Sequence, residues 1–211
     1  MKIGLIGGTF DPPHIGHLVI AEQAYTQLGL DSIWFAPVGH PPHKDNARVS
    51  PTPDRLAMTR LAIQDNSHFT LSLDDINRPT PHYVAGLFEL LTQAHPNVEW
   101  FMIVGGDSLA ELPHWYRPAR ILELVKLAVA QRPGFEPDVA QLERALPGVR
   151  TRLVWLDSPP IELASHDLQR RAREGLPLRY VVPEAVLDYI RTHHLYQAEP
   201  GRARPNQPES P

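Results

Sequence analysis

The chain has 211 residues, enough for one α/β domain with a real core. It contains no cysteine, which excludes a disulfide framework, a thiolate nucleophile and a Cys-bound zinc. Apolar content of 42% and charged content of 21% are those of a globular protein, and a net charge of -4 argues against a general nucleic-acid surface.

No apolar run approaches 18 residues, and the N-terminus opens directly into a strand pattern. No membrane partner and no signal peptide are expected, and the expected location is the cytoplasm. Proline is abundant at 23 residues, with Pro12, Pro13, Pro37, Pro41, Pro42, Pro51, Pro53, Pro79 and Pro81 in predicted loops. Proline stiffens such loops by fixing φ.

Lys2–Ile6 is a nearly continuous apolar run, as in a parallel sheet covered on both faces. Ile15–Leu28 has helical spacing and stops at Gly29, a C-cap residue. Ser32–Ala36 is the second predicted strand. Residues 37–53 carry no periodicity and read as one long loop. A helix over Asp54–Gln64 and a strand over Phe69–Leu73 follow.

Thr80 to His95 holds a turn and then a helix. Glu99–Val104 is a strand, Leu124–Ala130 another, Asp138–Leu146 a helix and Thr151–Leu156 the last strand. Ser165–Glu174 reads as a helix stopped by Gly175, and Pro183 to His193 as the terminal helix. Residues 1–196 form one domain on this reading, and 197–211 a polar, Pro-rich, disordered tail.

The alternation of strands and helices predicts a Rossmann-like α/β fold, a doubly wound parallel sheet flanked by helices. Ligands of such sheets bind beyond the C-terminal strand ends. Three segments sit there: 7–17, 37–48 and 105–108.

The first segment carries the densest chemistry. Gly7 and Gly8 let the backbone turn and approach a ligand closely, or simply make a βα turn. The segment is neither GxGxxG nor a Walker A run, so a dinucleotide redox fingerprint and a P-loop lysine are absent. His14 and His17 share one helix face at a helix start, where backbone N–H groups favour phosphate. Their imidazoles can donate to phosphoryl oxygens in a transition state. Metal binding and a structural role are the alternatives. Gly16 between them leaves room for a base or ribose, Thr9 offers a hydroxyl to phosphate, Phe10 anchors the loop in apolar packing, and Asp11 can fix it by accepting N–H groups.

Elsewhere, Lys44 is a mobile point charge in a proline-rich loop, with His40 and His43 beside it. Trp115 follows a strand end, where it can stack on a flat ring or pack in the core, and Tyr116 adjoins it. Asp107 can accept from ribose hydroxyls or cap the turn Ser108–Glu111.

GGTFDPPHIGHL at 7–18 resembles the first signature of the HxGH nucleotidyltransferases. PVGHPPHK at 37–44, RLAMTRLAI at 55–63, RPTPHYV at 78–84, GGDSLAELPHWYR at 105–117 and LRYVVPEAVLDYI at 178–190 are similar to stretches of the bacterial nicotinate-nucleotide adenylyltransferases, in the same order. The resemblance implies transfer of AMP from ATP to nicotinate mononucleotide, releasing pyrophosphate, in NAD biosynthesis. It implies His14, His17 and Lys44 as catalytic groups. It assigns ATP to Gly7, Gly8, Thr9, Phe10, His14, Gly16, His17, Asp107, Ser165 and His166. It assigns the acceptor to Lys44, Tyr83, Val84, Trp115 and Tyr116, with Tyr83 and Val84 aligned to a pair whose backbone recognises the nicotinate carboxylate. The implied cofactor is Mg²⁺ on the ATP phosphates. No dense carboxylate cluster appears, so ATP oxygens and water are expected to hold it. A homo-oligomer is compatible with the family.

The family's second signature, Ile-Ser-Ser-Thr-x-Ile-Arg, reads LASHDLQ at 163–169. Ser165 matches, whereas Ala164, His166 and Gln169 depart. Gln169 brings no charge, so Arg170 or Arg171 is the candidate compensation. The rivals are nicotinamide mononucleotide or another phosphate such as phosphopantetheine as acceptor, and a noncatalytic nucleotide-binding regulator.

Overall fold

The computed structural model describes residues 1–40, 49–130 and 137–197. Lys44, His43 and the tail beyond residue 197 lie outside the described residues.

The described strands are β1 (Lys2–Gly8), β2 (Ser32–Pro37), β3 (Phe69–Leu71), β4 (Glu99–Gly105), β5 (Lys126–Ala130) and β6 (Leu153–Leu156). All pair in parallel, in the order β3-β2-β1-β4-β5-β6. The order reverses at β1 and β4, and the crevice of such a sheet opens there. The helices are α1 (Ile15–Leu28), α2 (Thr52–Ile63), α3 (Asp74–Asn77), α4 (Val84–Ala94), α5 (Gly106–Glu111), α6 (Pro118–Leu124), α7 (Val139–Ala145), α8 (Ser165–Arg173) and α9 (Glu184–Thr192). Among the described residues no helix is long and apolar enough to cross a membrane.

Strand alternation sorts the core into two layers. Ile3, Leu5, Trp100, Met102, Val104, Leu127 and Val129 face α4 and α6, where Phe88, Leu91 and Ile121 meet them. Ile6, Ile33, Phe35, Phe101, Ile103 and Ala128 face α1, where Ala21 and Ala24 let helix and sheet approach closely. A third cluster joins Met58 of α2, Leu168 of α8 and Val186, Leu187 and Ile190 of α9.

The structure corrects several expectations. The loop expected over 37–53 is shorter at both ends, because β2 runs through Pro37 and α2 begins at Thr52, and residues 41–48 lie outside the described ones. The expected strand 124–130 starts at Lys126, and α6, unforeseen, ends at Leu124. Its N-cap, Arg117, holds a left-handed φ of 53°, a local feature no periodicity reveals. β3 stops at Leu71, and Ser72 donates its hydroxyl to Asp74 at 2.6 Å to open α3. Gly29 does close α1, with φ 57°.

Candidate active site

The C-terminal ends of β1, β2 and β4 open into a cleft with two bays. The wide bay, about 460 Å³, is bordered by Gly7, Gly8, Val38, His82, Tyr83, Asp107 and Trp115. The narrow bay, about 230 Å³, lies between His14, Gly16 and the segment Leu163–His166. Thr9, His17 and Ile20 border both.

Residues 9–17 form the shared wall. Phe10 is buried and packs against Phe35 with ring centroids 5.8 Å apart, so it anchors the loop as expected. Gly7 and Gly8 are the last residues of β1, and neither has a positive φ. The sharp turn falls instead on Phe10, at φ 50°. The glycines expose backbone to the cleft rather than bend it.

His14 is the N-cap of α1 and is buried, whereas His17 is half-buried. Their rings stack at 3.7 Å, and the His14 N–H donates to Nδ1 of His17 at 3.2 Å. That bond makes Nδ1 an acceptor, so the proton of a neutral His17 sits on Nε2. A Cβ at residue 16 would meet the His14 ring at 3.0 Å. The missing side chain of Gly16 therefore makes room first for His14, not for a ligand alone.

Asp11 is 2% exposed and accepts the Ser50 N–H at 2.9 Å and the Tyr196 hydroxyl. Gln169 donates to the Asp11 carbonyl at 2.7 Å, and the Ser165 hydroxyl donates to the Pro12 carbonyl at 2.9 Å. The hydrogen of Ser165 is thus spent on the loop. Arg170 pairs with Glu174 at 2.9 Å, and Arg171 donates to the Pro177 carbonyl at 3.1 Å. Neither takes the place of the missing guanidinium. His166 stands at the start of α8, with its side chain 83% exposed beside Asp167.

Arg55 was not foreseen as a site residue. It is 1% exposed, and its guanidinium donates to the carbonyls of Thr9, Val38, Gly39 and Ser50 and to the Thr52 hydroxyl, at 2.8–3.1 Å. Burial lowers its pKa from the ordinary guanidinium value, and the Asp11 charge opposes that shift. Arg55 ties Val38, Gly39 and Ser50 to Thr9 of the first loop. The sequence held one signal: residues 55, 58, 59 and 63 share the buried face of α2, and a charge stands among them.

The wide bay has a buried polar floor, also unforeseen. Asp75 accepts from Arg78 at 2.8 and 2.6 Å and from the Gly39 N–H at 3.1 Å, with His82 Nδ1 at 3.3 Å. Arg78 also donates to the carbonyls of Pro81 and Tyr83. The Tyr83 N–H is committed to the Pro81 carbonyl at 3.0 Å. Val84 opens α4, so its N–H is among those a helix start leaves without an intrahelical acceptor. Trp115 is half-buried, packing one side on the core while bordering the bay. Tyr116 is 52% exposed and stacks on Tyr83 at 4.5 Å. Asp107 is exposed in the first turn of α5, whose N-cap is Gly105, so the alternative of a capping role for Asp107 does not hold.

Residues 5–174 match the cytidylyltransferase-like family model. A Thermomicrobium roseum protein named probable nicotinate-nucleotide adenylyltransferase is 42% identical over 196 residues, covering 93% of this chain and 92% of its own. A Bacillus pumilus protein of the same name is 37% identical over 197 residues, covering 93% and 99%. The Plasmodium falciparum nicotinic acid mononucleotide adenylyltransferase, solved in complex with NaAD, superimposes with a TM-score of 0.76 at 17% identity, covering 92% of this chain and 97% of that one. That likeness is one of fold. The sequence matches, extending over nearly the whole of both chains, establish that this chain belongs to the nicotinate-nucleotide adenylyltransferase family.

Proposed function

We propose that the chain transfers AMP from ATP to nicotinate mononucleotide, giving nicotinate adenine dinucleotide and pyrophosphate. The observation that carries this reading is that His17 borders both bays. One donor then serves the phosphorus at which two substrates meet. ATP lies with its phosphate chain in the narrow bay, its α-phosphate at Thr9 and His17 and its ribose along Gly7, Gly8 and Asp107. The mononucleotide lies in the wide bay with its ring at Trp115 and its phosphate turned toward the same point.

An oxygen of the mononucleotide phosphate attacks the α-phosphorus in line, and the bond to the bridging oxygen of pyrophosphate breaks. No covalent intermediate with the protein is needed. The chain's contribution is alignment and charge stabilisation. The Nε2–H of His17 faces oxygens whose charge rises in the transition state, and His14 holds the ring that carries it. Asp107 accepts from ribose hydroxyls. The Val84 N–H supports recognition of the pyridine carboxylate, since an N–H donor suits a carboxylate better than the N–H₂ face of an amide. Lys44 is proposed to reach the phosphates.

Among the described residues no group of three His, Asp or Glu side chains is arranged to hold a metal. Mg²⁺ would arrive on ATP oxygens and water, where it would neutralise phosphate charge.

The test is pyrophosphate release from MgATP with a panel of acceptors: nicotinate mononucleotide, nicotinamide mononucleotide and phosphopantetheine. Nicotinate mononucleotide should give the highest kcat/KM, and His17→Ala should abolish most of it. Equal turnover of the amide would move the specificity elsewhere. No release with any acceptor would favour a nucleotide-binding regulator.

A further inference from the structure

Asp11 sits three residues before His14, and its carboxylate is held by groups distant in sequence. Ser50 N–H occupies Oδ2, and the Tyr196 hydroxyl occupies Oδ1 across 185 positions. Tyr196 is placed by the third apolar cluster, against which it and Leu195 pack, and its hydroxyl also lies 3.9 Å from Met58 Sδ. His194 and Tyr196 both hold left-handed φ values, 53° and 60°. Non-glycine residues keep such backbone only where their surroundings fix it.

Burial and the Asp11 charge raise the Tyr196 pKa, so the phenol keeps its proton and acts as a donor. The charged and titratable neighbours are the Arg55 guanidinium of α2, which opposes the Asp11 charge, and Asp54 of α2, which accepts the Tyr189 hydroxyl at 2.9 Å. Three further contacts support the same loop: Gln169 on the Asp11 carbonyl, Ser165 on the Pro12 carbonyl, and the Val181 carbonyl accepting the Ile15 N–H at 3.0 Å. The loop that bears the two histidines is therefore clasped by the last part of the chain.

We infer that Tyr196 is a positioning residue of the first loop, acting through Asp11 to set the stacked pair His14 and His17. Without its hydroxyl, Oδ1 of Asp11 loses a donor in a buried site, the carboxylate turns, and Pro12–His14 follow. The inference rests on the adenylyl-transfer reading only for its kinetic readout.

The experiment compares wild type, Tyr196→Phe and Tyr189→Phe. The second variant removes a neighbouring phenol bond from the same C-terminal layer without touching Asp11. Tyr196→Phe should lower kcat about tenfold, as expected of a small misplacement of reacting groups, with KM for nicotinate mononucleotide within about twofold. Tyr189→Phe should keep kcat within about twofold at a similar loss of Tm. On an Asp11→Asn background, Tyr196→Phe should add little further loss, because the two residues act as one unit. Equal kcat losses in the two phenylalanine variants, or additive losses with Asp11→Asn, would overturn the inference. If the wild type turns over no mononucleotide, the functional reading falls, and the imidazole NMR resonances of His14 and His17 decide. Tyr196→Phe should shift them and Tyr189→Phe should not. Unmoved resonances in Tyr196→Phe sink the positioning role independently.

Discussion

The two bays of the cleft are built in different ways. The wide bay rests on strand ends and on the start of α4, and behind it stand Met102, Val104 and Leu87 of the main core. The narrow bay joins the first loop to residues about 150 positions later, and polar contacts close the join. One wall is fixed by apolar packing that many residues share. The other depends on a few donors, each with a single task. Shape is cheap to keep in the first and easy to lose in the second.

That contrast can be broken most severely at Arg55. Arg55→Met keeps volume but strips four carbonyls of a donor and leaves Asp11 without its buried counter-charge. A loss of about 3–5 kcal/mol is expected, read from urea unfolding. His17→Ala should leave the urea midpoint nearly unchanged and lower kcat by about 10²–10³-fold, the usual effect of removing a preorganised donor. Trp115→Ala should act on the wide bay alone. It should raise KM for the mononucleotide by about tenfold, through lost stacking, while KM for ATP holds.

The smallest effect is a pH dependence. The Tyr196 phenol is raised above its ordinary value by burial and by Asp11. Its stabilising contribution is complete below about pH 10, where the unfolded phenol is also protonated, and is lost as pH rises through the folded value. Wild type should therefore lose stability progressively as pH rises above about 10, and Tyr196→Phe should lose less. Tyr189 shifts in the same direction, through burial and Asp54, so some slope should persist in that variant.

Most of the sheet was legible in the residues themselves. Ile3, Leu5 and Ile6, and then Trp100 to Val104, are apolar without interruption because both faces are covered. The short helices α3 and α6 were not legible, since four and seven residues hold too few turns to show a period. In the site, His14 and His17 announced themselves by spacing beside a strand end. The supports did not. Gln169 and Ser165 stood out as departures from and matches to a phosphate motif, yet both bond to the first loop. Asp75, Arg78 and His82 form their buried set through a fold of the 72–84 segment that sequence spacing does not encode.

The clasp on the first loop has a consequence for the order in which a working protein can arise. The histidines leave the ribosome long before the groups that hold their loop, Ser165, Gln169 and Tyr196. A nascent chain can assemble β1 to β5 and still lack a seated first loop. Competence waits for that distant segment to arrive.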